Sequence, residues 1–404
     1  MSGQRILVSG AGVAGPALAY WLTRYGFRVT VVERASDLRT GGQAVDVRGA
    51  AREVLDRMGV LERVRAAHTG VHGIAYVDDR GRVRARLSSN MFGHSGGVVA
   101  DLEILRDDLV DILVEAAGSN VEFVWGNTIT ELDNGPDSVR VTFEHGPDRD
   151  FDLVVGADGV RSTVRAATVG DTSSSVRDLG YYSAYFTARS DIGMDGWEVA
   201  YNLPAGNGMR GRSVMVYPIR GTGEVRVMLN FAGPDVGIHR HDVRAQKALL
   251  SEVFDGAGWQ VDELMDQLEQ TDRLFFARVA GVRVDDWSIG RVALVGDALS
   301  GGSLGMGTSM ALVQAYVLAG ELSRDPHEKA FRSYRQTLQA YVDRNSVRPF
   351  AAMAGFLPAT RAGIGLRNSL LRVLPYLPGA SHILGNTQET SEMIELVDYR
   401  RPFV

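Results

Sequence analysis

The stretch ILVSGAGVAGPALAYWLTRYGFRVTVVE, residues 6–33, decides how the chain opens. Ile6 to Ser9 is a short apolar run of strand length, PALAYWLTRYG has helical spacing and stops at Gly26, and FRVTVVE is a second apolar strand. The order strand, glycine loop, helix, strand is a βαβ unit. Its loop carries Gly10, Gly12 and Gly15 as G-x-G-x-x-G, with Val13 and Ala14 between the last two glycines. Glycines there allow a tight turn and let backbone N–H groups approach a pyrophosphate, whose charge the helix N-terminus favours. Glu33 ends the second strand about 20 residues on, where a carboxylate can accept hydrogen bonds from an adenosine ribose, and Arg34 stands beside it. Taken alone, the glycines also fit a plain tight turn, and Glu33 a surface carboxylate.

Two later loops repeat the arrangement of apolar strand followed by glycine and aspartate. DLVVGA leads into Asp158-Gly159-Val160-Arg161-Ser162-Thr163-Val164-Arg165, which by itself reads equally as a turn followed by a solvated helix face. RVALVG leads into Asp297, and the stretch VGDALSGGSLGMGTSMAL (295–312) then enters a helix. Asp297 has the chemistry of a helix cap or of an acceptor for polyol hydroxyls. The same stretch spells G-x-S-x-G at Gly301, Ser303 and Gly305, the pattern around a hydrolase nucleophile, with Asp325 or Asp343 and His382 formally available as partners. That motif requires the serine on a sharp turn directly between strand and helix. Here the strand ends before Asp297 and Ser303 lies well inside a loop, so the glycines are better read as a close ligand approach.

Composition narrows the classes. The chain has 404 residues, enough for two or three domains, and a formal net charge of -6, which gives no electrostatic basis for binding nucleic acid or an anionic membrane. It has no cysteine, which excludes disulfides, thiolate metal sites and a cysteine nucleophile. His239 and His241 are two apart in a polar loop and do not form a metal site. No apolar run reaches the roughly 18 residues of a membrane span, and a cytoplasmic protein is expected. Between about 176 and 235 the texture changes to alternating, aromatic-rich strands, YYSAYFTAR, WEVAYNL, RSVMVYPI and EVRVMLNF, which read as an antiparallel sheet of a second domain. EILRDDLVDILVEAAG (103–118) reads as one helix.

With all three glycine loops in this order, the chain resembles the FAD-dependent aromatic hydroxylase family typified by para-hydroxybenzoate hydroxylase. Within that family it is most similar to the tetracycline-inactivating flavin monooxygenases, over roughly residues 3–345. The resemblance implies an α/β fold: a Rossmann-like βαβ FAD-binding domain (1–70, 99–175 and 271–345), an antiparallel-sheet substrate domain (71–98 and 176–270) and a C-terminal helical segment (346–404). It implies that the Gly10 loop holds the FAD pyrophosphate and Glu33 the ribose. Arg39-Thr40-Gly41-Gly42-Gln43-Ala44-Val45-Asp46 resembles the relatives' R-x-x-G-G-x-x-D beside the flavin, which nominates Arg39, Gly42 and Asp46. Arg106 matches the family's FAD-contacting arginine, and Asp158 a motif implicated in FAD and NAD(P)H binding. Asp297 would bind the ribityl chain, with Gly305, Met306, Gly307 and Thr308 at the pyrimidine edge. Where relatives continue Gly-Asp-Ala-Ala-His-Pro, this chain has Gly-Asp-Ala-Leu-Ser-Gly, which puts the shape beside the flavin in doubt.

The implied activity is a monooxygenase that takes electrons from NADPH or NADH and, through a flavin C4a-hydroperoxide, adds one atom of O2 to an aromatic or polycyclic small molecule. Epoxidation or Baeyer-Villiger oxygenation on the same scaffold is the alternative, and a non-catalytic flavoprotein sequestering an aromatic ligand a more distant one. Tyr185, Tyr201, Met215 and Tyr217 on the alternating strands are the candidate substrate contacts, although core packing is the better reading for most such residues. No side-chain acid or base is singled out. A monomer or weak homodimer is expected.

Overall fold

A computed structural model of the chain describes residues 3–38, 42–89, 100–170, 175–192, 195–239, 241–303, 305–346, 356–373 and 394–399. Its first layer is a six-stranded sheet in the order Ser288–Ile289, Val292–Leu294, Leu153–Gly156, Arg5–Ser9, Arg28–Glu33, Val121–Trp125, parallel except for the Ser288–Ile289 hairpin arm. Ile6, Leu7 and Val8 are fully buried, as strands covered on both faces must be. The helix Ala14–Arg24 packs against Gly307–Arg324, and burial of Trp21, Leu22, Leu312 and Leu318 there contributes on the order of 1.5–3 kcal/mol per large side chain.

Register places the loops. Ser9 stands opposite Gly156 on one side and Val32 on the other, and Gly156 opposite Leu294, so the carboxyl ends of the three strands lie level. The chain leaves Arg5–Ser9 toward Arg28–Glu33 on one side and returns as Leu153–Gly156 on the other. The crevice between them is the topological switch point at which open α/β sheets bind ligands.

The second layer is a seven-stranded sheet in the order Phe275–Val282, Val176–Arg189, Glu224–Ala232, Gly211–Ile219, Glu198–Leu203, Gly73–Val77, Val83–Ser88. Helices Val243–Phe254 and Val261–Gln270 cover one face, with Phe186, Val214, Val227, Leu229, Leu250 and Phe254 in the core between. The other face turns toward the first layer. A short antiparallel pair, Ala44–Asp46 with Glu103–Leu105, lies where the layers meet.

Three expectations differ from this architecture. The second sheet is mixed, because Glu198–Leu203 runs parallel to Gly73–Val77. Residues 103–105 are strand, and the helix begins only at Arg106. Local spacing favoured helix throughout, but cross-strand pairing with residues 44–46 takes the first three residues. Phe275–Val282, grouped by sequence with the nucleotide segment, is an edge strand of the seven-stranded sheet, paired with Val176–Arg189. Among the described residues no helix is long and apolar enough to cross a membrane, and no group of His, Cys, Asp or Glu could hold a metal ion.

Candidate cofactor cleft and the adjoining pocket

Gly10 and Gly15 of the first loop are required by contact with backbone. Gly10 has φ +106°, and a Cβ there would lie 2.6 Å from the carbonyl oxygen of Ala157. A Cβ on Gly15 would lie 1.9 Å from the Gly10 carbonyl oxygen. At Gly12 it would meet the end of Arg106 at 3.3 Å. The helix that follows has no side-chain cap at Val13 and no acidic residue in its first turn, which leaves its N-terminal N–H groups and dipole for an anion. Glu33 holds the loop in place. Its carboxylate accepts from the Ala11 and Ala35 N–H groups, both at 2.9 Å, while Arg34 is exposed.

The other two loops close on the first. A Cβ on Gly296 would come within 3.0 Å of Ala14, and one on Gly301 within 3.1 Å of Val160. Asp297 is reachable from the cleft, yet it is crowded enough that burial pushes its carboxyl up, with Arg106 opposing. Asp158 is occupied: it accepts from the Thr163 N–H at 2.8 Å, the Val164 N–H at 3.2 Å and the Ser162 hydroxyl, capping the helix Thr163–Val169. Burial raises its carboxyl against these hydrogen bonds. Arg165, fully buried, donates to the carbonyls of Ala298 and Val160 and so ties the second loop to the third.

Beyond Asp297 the third loop reaches the short antiparallel pair. Gly305, at φ +71°, would place a Cβ 3.2 Å from the Asp46 carboxylate, and Gly307 one 3.8 Å from that of Asp297. Met306 is buried and supplies no cap to the helix Gly307–Arg324, whose first turn holds Thr308 and no acid. Two uncapped helix N-termini, from Ala14 and Gly307, therefore belong to one cleft with Asp297 between them. Gly42 N–H donates to Asp107 at 2.7 Å, and its lack of a side chain is required, since a Cβ would fall 2.4 Å from that carboxylate. Arg39 lies outside the described residues. The chemistry of this set fits FAD: backbone donors for a pyrophosphate, carboxylates for two polyols and glycines for close approach.

Sequence reasoning passed over the residues behind Asp46. Arg48 is 2% exposed and donates from Nε at 3.1 Å and Nη2 at 2.7 Å to Asp46, while its N–H donates to Ser309 at 2.9 Å. Glu103, opposite Asp46 in register, accepts from the Thr69 hydroxyl at 2.8 Å. Burial, reinforced by the Asp46 carboxylate, pushes its carboxyl up to about 8. The folded protein thus holds a proton that the unfolded chain releases in the usual carboxylate range, so stability falls as pH rises from that range through about 8. The melting temperature is expected to drop between about pH 6 and about pH 8.5, and Glu103→Gln to make that slope shallower; an unchanged slope would show Glu103 ionised throughout.

The face of the seven-stranded sheet left open by the helices Val243–Phe254 and Val261–Gln270 carries three rows of mostly buried residues. Tyr185, Met228, Met215, Ala200 and Tyr76 are successive cross-strand neighbours and form an apolar, aromatic row. Ser183, Asn230, Ser213 and Asn202 form a polar row on one side of it. On the other side Thr187, Arg226 and Tyr217 are followed by Glu198. Arg367, from the helix Arg361–Val373, lies 4.2 Å over the Tyr76 ring and donates to Asn202 at 2.8 Å. Tyr217 accepts from the Ala44 N–H at 2.9 Å, joining the sheet to the strand that carries Asp46. Tyr201 faces the other way. Alternation along its strand sends it to the helix-covered side, where its hydroxyl donates to the Ala257 carbonyl at 2.7 Å and its ring meets Trp259. Tyr185, Met215 and Tyr217 share the open face, where Met215 and Tyr217 are themselves buried, and Tyr201 packs on the helix-covered side.

Ser303 follows the short helix Asp297–Ser300 within the third loop rather than sitting on a strand-to-helix elbow. Its hydroxyl has no hydrogen-bond partner among the described residues. Asp343 is engaged by Arg283 and Gln339, and Asp325 by Lys329, while His382 lies outside the described residues. No hydrolytic triad is assembled among the described residues.

Comparison with known proteins agrees with this geometry. The FAD binding domain family matches residues 4–348. An uncharacterized protein of Mycobacterium tuberculosis is 40% identical over 84% of this chain and 91% of its own length. A flavin-dependent monooxygenase of an unknown prokaryotic organism is 32% identical over 98% of this chain and 99% of its own. Among solved structures, the tetracycline destructase Tet(55) superposes with a TM-score of 0.80 at 31% identity, covering 99% of this chain and 100% of that one. The Klebsiella pneumoniae HpxO structure with FAD and uric acid shares the fold, with a TM-score of 0.73 at 21% identity over 96% of each chain.

Proposed function

We propose, for a chain that belongs to the FAD binding domain family and is a flavin-dependent monooxygenase, that it uses NADPH or NADH and O2 to hydroxylate an aromatic or polycyclic small molecule on the open face of the seven-stranded sheet. The observation that carries this reading is the continuity of the site. Gly305 abuts Asp46, the strand of Asp46 is tied by Ala44 to Tyr217, and Tyr217 adjoins the Tyr185–Met228–Met215–Ala200–Tyr76 row.

When bound, FAD supplies the redox chemistry, passing the electrons of NAD(P)H to O2 so that one oxygen enters the substrate and the other leaves as water. The chain positions the partners. The Gly10–Gly15 loop and the N-terminus of the helix Ala14–Arg24 receive the pyrophosphate, Glu33 the ribose and Asp297 the ribityl chain, with Arg106 alongside. The N-terminus at Gly307 to Thr308 would stand by the flavin ring system, where its dipole would be worth about 0.3–2 kcal/mol to a negative charge. The Tyr185–Tyr76 row presents rings and thioethers on which a flat substrate stacks and from which water is excluded. Asp158 acts through the loop it caps.

The test is a screen of phenols and polycyclic phenols, tetracycline included because of the likeness to tetracycline destructases, for NAD(P)H oxidation that rises with substrate. A product heavier by one oxygen is expected. NAD(P)H consumption yielding only peroxide across the panel would overturn the hydroxylase reading.

A further inference from the structure

We propose that Glu198 sets the substrate specificity of this pocket, and that the compound it selects carries a cationic nitrogen, an ammonium or amidinium, held by the Glu198 carboxylate with Glu103 behind it. The inference rests on the pocket assigned above and names the class of molecule that fills it.

Position comes first. Glu198 opens the strand Glu198–Leu203, in phase with Ala200 and Asn202 and out of phase with Val199, Tyr201 and Leu203, which pack toward the helices. Its side chain therefore belongs to the open face, at the end of the Thr187, Arg226, Tyr217 row and one step along its strand from the apolar row at Ala200. Charge comes second. Asp46 opposes the ionisation of Glu103, and Asp46 and Glu103 that of Glu198, while Arg48, the guanidinium among them, is bound to Asp46. Arg226, in the same row, directs Nη1 to Thr187 at 2.8 Å.

Partnership comes third. Glu103 has the Thr69 hydroxyl, but Glu198, only 4% exposed, accepts no hydrogen bond from any described residue. A buried carboxyl is normally hydrogen-bonded, and one left without a donor costs stability unless a ligand provides it. Burial and the neighbouring carboxylates push the Glu198 carboxyl well up, a shift that an arriving cation opposes by supplying a counter-charge. The carboxylates are not grouped as metal ligands, which leaves an organic cation as the matching partner. The flat apolar row beside Glu198 takes the remainder of such a molecule.

The experiment measures binding to the FAD-loaded protein by calorimetry, using matched pairs of phenols with and without a basic amine. Tetracycline with its 4-dedimethylamino counterpart is the polycyclic pair, and tyramine with 4-ethylphenol the small one. Wild type is expected to bind the amine member of at least one pair about tenfold more tightly, and Glu198→Gln to reduce that preference to about twofold while leaving affinity for the neutral member unchanged. Glu103→Gln, which keeps Glu198 itself, is expected to lose about threefold of the preference when binding is measured above about pH 8, where Glu103 is ionised. Retained FAD absorbance reports that each variant is folded; should Glu198→Gln fail to fold, wild type and Glu103→Gln still decide. Absence of any amine preference in wild type, no binding included, overturns the proposal, as does a Glu198→Gln loss shared equally by both members. Amine-selective binding without oxygenated product would sink only the hydroxylase reading, and hydroxylation without amine selectivity only this one.

Discussion

Gly15→Ala is expected to give protein that purifies without flavin colour and takes up no FAD on reconstitution. A methyl at this position would stand 1.9 Å from the Gly10 carbonyl oxygen, a backbone atom that no rotamer change can move. Either the loop opens or the first turn of the helix Ala14–Arg24 retreats, and both remove the N–H groups arranged for the pyrophosphate. Overpacking of this kind costs about 1–3 kcal/mol or more in stability, and the loss of ligand geometry adds to it. Gly12→Ala separates fold from fit. Its methyl would meet only the flexible end of Arg106 at 3.3 Å, so the loop should keep its shape and stability, while the space left for the pyrophosphate narrows and FAD affinity falls. The flavin absorbance of the purified variants and their FAD dissociation constants read both effects; Gly15→Ala with wild-type colour would remove the loop from the site.

The second large effect is on stability. Asp46→Ala removes the carboxylate that accepts both Nε and Nη2 of Arg48, a guanidinium 2% exposed, and is expected to cost about 3–5 kcal/mol in urea unfolding of the FAD-free protein. It also frees the Ala100 N–H, which donates to the same carboxylate at 3.2 Å. The double variant Asp46→Leu with Arg48→Met should recover most of the loss, because an apolar pair does not carry the desolvation penalty of a buried guanidinium deprived of the Asp46 carboxylate. Equal losses in the single and double variants would show that packing rather than charge pairing is at stake.

The parts of the molecule legible in the sequence were those whose physics is local. The Gly10–Gly15 loop, Glu33 and the Gly296-Asp297 turn announce themselves because steric demand for glycine and the ends of apolar strands are written in consecutive residues. Glu103–Leu105 hid inside a helical pattern because its strand character comes from pairing with residues 44–46. Arg48, Glu103 and Glu198 were invisible for a related reason: each is an ordinary charged residue until the two layers bring it against the others. For Glu198, the one local trace is a carboxylate in phase with Ala200 and Asn202 on a strand whose alternate residues are apolar. The side that Tyr201 takes was not legible either, because composition shows aromatic residues on alternating strands, whereas the face each one takes depends on its phase within the strand and on register with the next.

Mass spectrometry of the product formed from a turned-over phenol under isotopically heavy O2, with FAD-loaded protein and NAD(P)H, tests the central claim most directly. One heavy oxygen atom in the product and the other in water is the expected result. Product oxygen drawn from solvent water, or heavy oxygen recovered only as peroxide, would contradict it.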